Sequence, residues 1–176
     1  ITFKERFGLS EYIILLIEDS EPFSEESLRS LQNLQERIES EAPYVKKTES
    51  ILNSRKVIST ENGLEIKTLV PESLMPDDLN ALRQLATSTP YYVDRIINRD
   101  ANAISLIIQL QASVKNDKTG KFQHILIDDV SKSMTEIKRI VSELQPRFKN
   151  TISIAGAPVA AVELLKIIKH DTLFFM

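Results

Sequence analysis

The sequence predicts one domain of the α+β class, and three observations lead to this prediction. Two stretches with amphipathic helical spacing alternate with short, continuous apolar runs that are typical of buried strands. An Asn-Gly pair at Asn62-Gly63 stands between further apolar residues and indicates a β-hairpin. Hydrophobic residues make up 42% and charged residues 27% of the 176 residues, so the chain can bury a core.

The N-terminal part predicts a strand followed by a helix. The apolar, β-branched run from Tyr12 to Ile17 is typical of a central, buried strand. Ser24 is a good N-cap, and Phe23 and Leu28 flank it with the spacing of a hydrophobic staple. Apolar residues then recur at helical spacing, at Leu28, Leu31, Leu34, Ile38 and Ala42. This pattern predicts an amphipathic helix over Ser24 to Glu41.

The middle of the chain predicts a second strand, a hairpin and a short helix. The second strand is expected over Tyr44 to Asn53, and the hairpin over Lys56 to Leu69 around the Asn-Gly pair. After Pro76, Asp77 or Asp78 is expected to cap a short helix. That helix carries Leu79, Leu82 and Leu85 and is ended by Thr89-Pro90.

The C-terminal part predicts two more strands and two helices. Ala103 to Gln111 is apolar enough for a buried strand, and Lys115 to Lys121 is expected to be a solvated loop. The clearest helical spacing follows, at Ile127, Val130, Met134, Ile137, Val141 and Leu144. A short strand is expected over Thr151 to Ile154. A turn at Gly156 then leads into a last helix, with Pro158 at its first position.

Without the hairpin and short helix, the order of elements is β-α-β-β-α-β, which is the ferredoxin-like, split β-α-β plan. We therefore expect a core formed by about residues 10–53 and 102–156. The hairpin and short helix form an insertion over about 54–101, and an exit helix covers about 158–176.

The sequence offers no pattern of a catalytic, cofactor-binding or metal-binding centre. It has no cysteine, and it lacks a nucleophile elbow, a Walker loop and a dinucleotide-binding glycine motif. His124 and His170 are far apart, and neither has a partner at metal-ligand spacing; both are expected at the surface near helix ends. A net charge of -3 without a basic block argues against a nucleic-acid partner. We predict a protein that is not an enzyme.

Acidic and aromatic pairs are better explained by structure than by chemistry. Glu18, Asp19 and Glu21 are expected to form a solvated turn, and Asp128-Asp129 to stabilise a helix N-terminus. We expect Tyr91-Tyr92 to pack in a loop. Phe174-Phe175 is expected at a membrane interface.

Several short motifs together resemble one transporter family. An F-x-x-x-F-G element ends at Phe7-Gly8 and precedes the apolar strand, and Phe23-Ser24-Glu25-Glu26 opens the first helix. Tyr44 to Ile51 is similar to the family's second strand, and Gly156-Ala157-Pro158 matches its G-x-P turn. Asp171 stands where the family carries an aspartate. These motifs resemble the first large periplasmic loop of RND-superfamily exporters, in the branch that exports lipids and other hydrophobic molecules.

The resemblance implies a porter domain on the periplasmic side of the bacterial inner membrane. It lies between the first and second transmembrane helices of a proton-driven, multi-pass exporter. Its partners are the transmembrane helices and second periplasmic loop of the same protein, and a lipid or other hydrophobic substrate. Whether copies of the chain form a homo-oligomer stays open. The positions carried over, Phe7, Gly8, Gly156, Pro158 and Asp171, are structural, and the resemblance implies no cofactor.

Two other functions remain as alternatives at this stage. A sensory or interaction domain from the extracytoplasmic side of another membrane protein would share the same order of elements. A soluble ferredoxin-like enzyme or small-ligand regulator would require a polar constellation on the sheet, and the sequence shows none.

Overall fold

The structure is a computed structural model that describes residues 11–60, 63–71, 74–115, 120, 122–149 and 151–174, with side chains up to residue 168. The strands of these residues are β1 Tyr12–Glu18, β2 Val45–Glu49, β3 Arg55–Thr60, β4 Gly63–Thr68, β5 Ala103–Leu110, β6 Ser113–Lys115, β7 Phe122–His124 and β8 Ile152–Ala155. The α-helices are α1 Glu25–Glu41, α2 Pro76–Ser88, α3 Ile127–Leu144 and α4 Ala157–Phe174.

The central sheet has four strands in the order β2-β5-β1-β8. All three pairs are antiparallel, so β1 and β2 run in the same direction on either side of β5. Helix α1 connects β1 to β2, and helix α3 connects β5 to β8 around β1. Each β-α-β unit is therefore split by a strand of the other unit. The predicted α+β class is confirmed, and the arrangement is compatible with the ferredoxin-like plan.

Helices α1 and α3 form where the apolar spacing predicts them. Ser24 caps α1, because its side-chain oxygen accepts a hydrogen bond from the Ser27 amide at 3.2 Å. The apolar positions of both helices are buried together with the inward side chains of the sheet: Leu28, Leu31, Leu34, Ile38, Val130, Met134, Ile137, Ile140, Val141 and Leu144. This single layer of helices covers one face of the sheet.

An ion-pair network joins the outer surfaces of α1 and α3. The guanidinium group of Arg37 donates to Glu41 at 2.6 Å and to Glu143 of the other helix at 2.8 Å. Arg139 of α3 pairs in turn with Glu41 and Glu143. Arg37, Arg139, Glu41 and Glu143 therefore each have a partner on both helices, so the network links α1 to α3. Exposure limits the stabilisation that such pairs give.

The network gives folding stability a dependence on pH in the acid range. Hydrogen bonds from Arg37 and then Arg139 lower the pKa of Glu41 from its ordinary 4.5 to about 2. Since the folded state favours the carboxylate, its contribution to the free energy of unfolding is complete above about pH 4.5. The contribution is lost as the pH falls through about 2. We expect Glu41→Gln to be destabilising at pH 7, with a difference from wild type that shrinks between these values, measured by urea unfolding.

Glu36→Gln is the matched control, because Glu36 lies on the same helix and accepts a hydrogen bond from the neutral side chain of Gln32. Its difference from wild type should not follow this pH profile. A Glu41→Gln difference that stays constant down to pH 2 would contradict the assignment of the effect to this carboxylate. Added salt should reduce the difference at pH 7, because exposed charges are screened.

The insertion contains the predicted hairpin and a helix that starts differently from the prediction. Strands β3 and β4 pair antiparallel from Arg55–Thr68 to Thr60–Gly63, which confirms the hairpin, while Asn62 lies outside the described residues. The prediction that Asp77 or Asp78 caps α2 is wrong. The N-cap is Met75, and Pro76 occupies the first turn, where its missing amide costs nothing.

Two further predictions about local structure are corrected. Strand β2 ends at Glu49 rather than Asn53, because Ser50 and Asn53 cap a 3-10 turn over Ile51–Asn53 instead. The loop predicted from Lys115 to Lys121 starts one residue too early, because Lys115 is the last residue of β6. This strand pairs antiparallel with β7. His124 therefore lies exposed at the end of a strand, three residues before α3.

The turn between β8 and α4 requires glycine. Gly156 has φ of 127°, and a Cβ atom at this position would lie 2.4 Å from the carbonyl oxygen of Tyr12. The first residue of β1 and the start of α4 are therefore in direct contact. Pro158 is buried, but it is the second residue of α4 rather than the predicted first.

Candidate functional site

The second face of the central sheet is not covered by α1 and α3. Alternate residues of β1 point away from the helices, and among them Tyr12 is 45% and Ile14 is 36% exposed. Leu16 of β1 and Ile107 of β5 are half-buried on the same side. We call this surface, formed by Tyr12, Ile14, Leu16 and Ile107, the open face. Its apolar side chains contrast with the fully buried Ile13 and Leu15 on the helix side.

The strand register places charged side chains beside the open face. Directly opposite residues of paired strands share a face of the sheet. Ile107 lies opposite Ile14 on one side and Glu49 on the other, while Gln109 lies opposite both Tyr12 and Lys47. On the edge strand β2, Lys47 therefore continues the row of Tyr12, and Glu49 continues the row of Ile14. The apolar centre of the sheet has a charged border on this side.

A groove of about 600 Å³ opens at the same edge of the sheet. We call it the edge groove, and its lining consists of Lys47, Thr48, Glu49, Asn53, Ser54, Arg55, Tyr91 and Arg95. Lys47 and Arg55 are exposed, and neither side chain has a hydrogen-bond or ion-pair partner among the described residues. Three cations and one carboxylate line the groove, so its charge is positive although the chain carries -3 overall.

The walls of the edge groove are held in place by specific contacts. Buried Tyr92 donates from its hydroxyl to the carbonyl oxygen of Arg55 at 2.8 Å, which ties the segment after α2 to the hairpin. Arg95 pairs with Glu49 at 2.8 Å, and its guanidinium carbon lies 5.0 Å from the centre of the Tyr91 ring. The loop-packing prediction is thus right for Tyr92, whereas Tyr91 is 57% exposed at the groove.

Below the groove, the 3-10 turn fixes where β3 begins. Asn53 accepts from the Ser50 amide at 2.9 Å and donates to the carbonyl oxygen of Thr48 at 2.9 Å. The Ser54 hydroxyl donates to the carbonyl oxygen of Ser50 at 2.8 Å. The backbone carrying Arg55 therefore has little freedom, and its guanidinium group reaches the groove from a rigid base.

In the acidic turn after β1, Glu18 and Glu21 are exposed as predicted, whereas Asp19 is buried. Asp19 is 2% exposed, against the prediction. Its carboxylate accepts from the Glu21 amide at 2.9 Å and from the hydroxyl of Ser27, which connects the end of β1 to the first turn of α1. Burial is tolerated because these donors replace water.

The acidic pair at the start of α3 also has structural contacts. Asp129 accepts from Tyr44, Lys132 and the Leu126 amide. The Lys132 ammonium group is the largest cause that lowers the pKa of Asp129, followed by the Leu126 amide. Across the described part of the chain, no three His, Asp or Glu side chains come together in a group that could hold a metal ion.

The positions carried over from the family resemblance do not form one site. Phe7 and Gly8 lie outside the described residues, as does Phe175. Gly156 and Pro158 lie together at the start of α4, where they shape the turn against β1. Asp171 belongs to the last turns of α4. None of the described positions lines the polar surface of interest, which is the edge groove.

Two further surfaces expose apolar side chains. Val57, Ile66 and Leu64 share one face of the hairpin and are each more than 60% exposed. On α4, Leu164, Ile167 and Ile168 are each more than 50% exposed, while Val162 is buried. Large contiguous patches of exposed apolar side chains are typical of surfaces that contact another protein, a membrane or a ligand. In the described residues, no helix is both long and apolar enough to cross a membrane.

Comparison with known proteins adds no identity to these observations. The chain matches no protein-family model, no curated protein and no solved structure.

Sequence reasoning did not find the edge groove. Its cations come from β2, from β3 and from the segment after α2, so no local motif contains them. The available signal was the alternation Lys47-Thr48-Glu49, which places two charges on one face of an edge strand.

Proposed function

We propose that this chain is an extracytoplasmic porter domain of a proton-driven exporter of the RND type, located on the periplasmic side of the bacterial inner membrane. The observation that carries the proposal is the contact between Gly156 and Tyr12. The chain enters the sheet at the start of β1 and leaves it after β8, and these two places are in contact. Such adjacency suits a domain inserted between two consecutive segments of a larger protein.

Two other features support this function. The apolar side chains exposed on α4 and on the hairpin give the domain two surfaces for contact within a larger assembly. Helices α1 and α3 pack on one face of the sheet, and Tyr12 and Ile14 are exposed on the other, so a substrate can contact that face there. In this function the domain binds and moves a hydrophobic substrate and breaks no bonds.

The coding sequence on either side of residues 1–176 tests the proposal directly. An exporter requires one apolar span before this segment, a block of about five or six after it and a second porter-like loop, each span having about twenty apolar residues. A single span on each side would contradict the exporter and support the sensory or interaction domain.

Chemical labelling tests the location in cells. The segment has no cysteine, so Ser40→Cys introduces one exposed thiol at the end of α1. We expect a membrane-impermeant maleimide to label this variant of the full-length protein, in a background without other cysteines, while the inner membrane is intact. Ala86→Cys is the control, because Ala86 is fully buried and its thiol should stay unlabelled. Labelling of Ser40→Cys only after lysis would contradict a periplasmic location.

A further inference from the structure

We propose that the edge groove and the open face together bind an anionic amphiphile. Its phosphate or carboxylate group contacts Lys47, Arg55 and Arg95, and its hydrocarbon chain lies across Ile14 and Ile107. The inference deepens the proposed function by naming a substrate class, and it rests on that function for its meaning in transport. The binding itself stands on the geometry of the described residues.

The charges of the groove select an acidic group. Lys47 and Arg55 have no partner among the described residues, and the single carboxylate of the groove, Glu49, pairs with Arg95. Arginine presents a planar fork that matches phosphate and carboxylate oxygens. Glu49 and the ring of Tyr91 hold Arg95 in place from two sides, so this donor is oriented before a ligand arrives. A neutral headgroup would leave the two free cations without compensation.

The register aligns the apolar path with the groove. The row Glu49-Ile107-Ile14 begins at the edge strand and crosses to β1, and the row Lys47-Gln109-Tyr12 lies beside it. Neighbouring strands are about 4.8 Å apart, so two strand spacings place Ile14 roughly 10 Å from Glu49 at the groove, with Ile107 between them. A hydrocarbon chain anchored by its acidic end in the groove would follow this path and cover Ile14, which is 36% exposed.

The size of the surface favours an amphiphile over a protein partner. A standard protein interface takes about 20–30 residues on each side. The open face offers four apolar side chains, of which two are half-buried. One cationic edge next to a narrow apolar strip matches a molecule with one acidic end and an apolar body.

Calorimetric titration of the 176-residue chain tests the proposal, with decyl phosphate below its critical micelle concentration as the probe. We expect saturable binding with one ligand per chain. Octyl phosphate should bind more weakly, because each methylene removed from water contributes about fourfold in affinity. Inorganic phosphate should bind far more weakly, which separates a lipid headgroup from free phosphate. Decyl maltoside, which is neutral, should show no saturable binding.

Variants locate the binding to the two parts of the surface. Lys47→Gln and Arg55→Gln should each weaken decyl phosphate binding about tenfold, as expected for a lost charge-assisted hydrogen bond. Ile14→Ser should weaken it by a similar factor without changing the affinity for inorganic phosphate. Arg29→Gln is the control, because it removes an exposed cation on α1, away from the groove. Unfolding curves check that each variant is folded.

Several results of these experiments would overturn the proposal. Equal binding of decyl maltoside would mean apolar adsorption, and equal binding of inorganic phosphate would mean a site for the free anion. An equal loss with Arg29→Gln would mean general electrostatic attraction. Self-association in sedimentation that Ile14→Ser abolishes would assign the open face to a protein partner. If the flanking sequence supports an exporter and no saturable binding occurs, only the ligand class fails; binding without membrane spans would refute only the exporter.

Discussion

Gly156→Ala is expected to destabilise the chain by about 2–6 kcal/mol, from backbone strain of about 1–3 kcal/mol and a similar cost of overpacking. The φ of 127° is one that L side chains rarely adopt. The new methyl group would also start 2.4 Å from the Tyr12 carbonyl oxygen and 3.4 Å from the Ile13 Cα atom. These are backbone atoms of the central strand β1, so the contact cannot be relieved by a side-chain rotation.

Gly63→Ala separates the two contributions. Gly63 has the same φ of 127°, but a Cβ atom there would have no heavy atom within 4 Å. This variant therefore carries the backbone strain alone, and we expect a loss of about 1–3 kcal/mol. Urea unfolding measures both losses as shifts of the midpoint at constant slope. Equal losses for the two variants would mean that β1 and α4 move apart easily and that the close contact is not required.

The result bears on the proposed function as well as on stability. Gly156 holds the start of α4 against the first residue of β1. If α4 connects to a membrane helix, a shift at Gly156 changes the position of the whole sheet relative to that helix. A full-length protein carrying Gly156→Ala is then expected to lose transport at temperatures where the domain itself is still folded.

The amphipathic helices could be predicted because their signal is local and repeated. Helix α3 runs from Ile127 to Leu144, as the apolar spacing indicates, and Ser24 caps α1 as predicted. The apolar stripe repeats several times along each helix, so competing local effects cannot shift it. Strand β1 was predictable for a related reason, since a β-branched apolar run of this length has few alternatives.

The ends of other elements depended on side-chain contacts that the pattern does not show. Strand β2 was predicted to reach Asn53, but Ser50 and Asn53 turn the backbone into a capped 3-10 turn. Helix α2 starts at Pro76 because proline fits the first turn, although two aspartates follow as candidate caps. Strands β6 and β7 are three residues each, too short to give a periodic signal.

The candidate site could not be predicted because it depends on tertiary register. Lys47 and Arg55 belong to different sheets. Arg95 lies between α2 and β5, about 40 residues later in the chain. Their meeting requires the pairing of β2 with β5 and the hydrogen bond from Tyr92 to Arg55. Asp19 was expected in solvent for the same reason, since its donor Ser27 is visible only once α1 packs beside β1.

Ile13→Ala and Ile14→Ala are expected to differ by several kcal/mol although the two residues are neighbours on β1. Ile13 is fully buried beneath the helices, and its truncation should cost about 2–5 kcal/mol through lost apolar contact and the cavity left behind. Ile14 is 36% exposed on the open face, and the same change should cost about 1 kcal/mol, mostly from the lower strand propensity of alanine. Urea unfolding under identical conditions measures both values.

The comparison decides whether the open face belongs to the folding core. Equal losses would mean that Ile14 is buried in solution and that the face is closed, which contradicts both the ligand and its path. A small loss for Ile14 means that folding does not require an apolar side chain there. An apolar side chain that folding does not require, placed in one row with Ile107 and the charged border at Glu49, is available for the hydrocarbon chain of the proposed ligand.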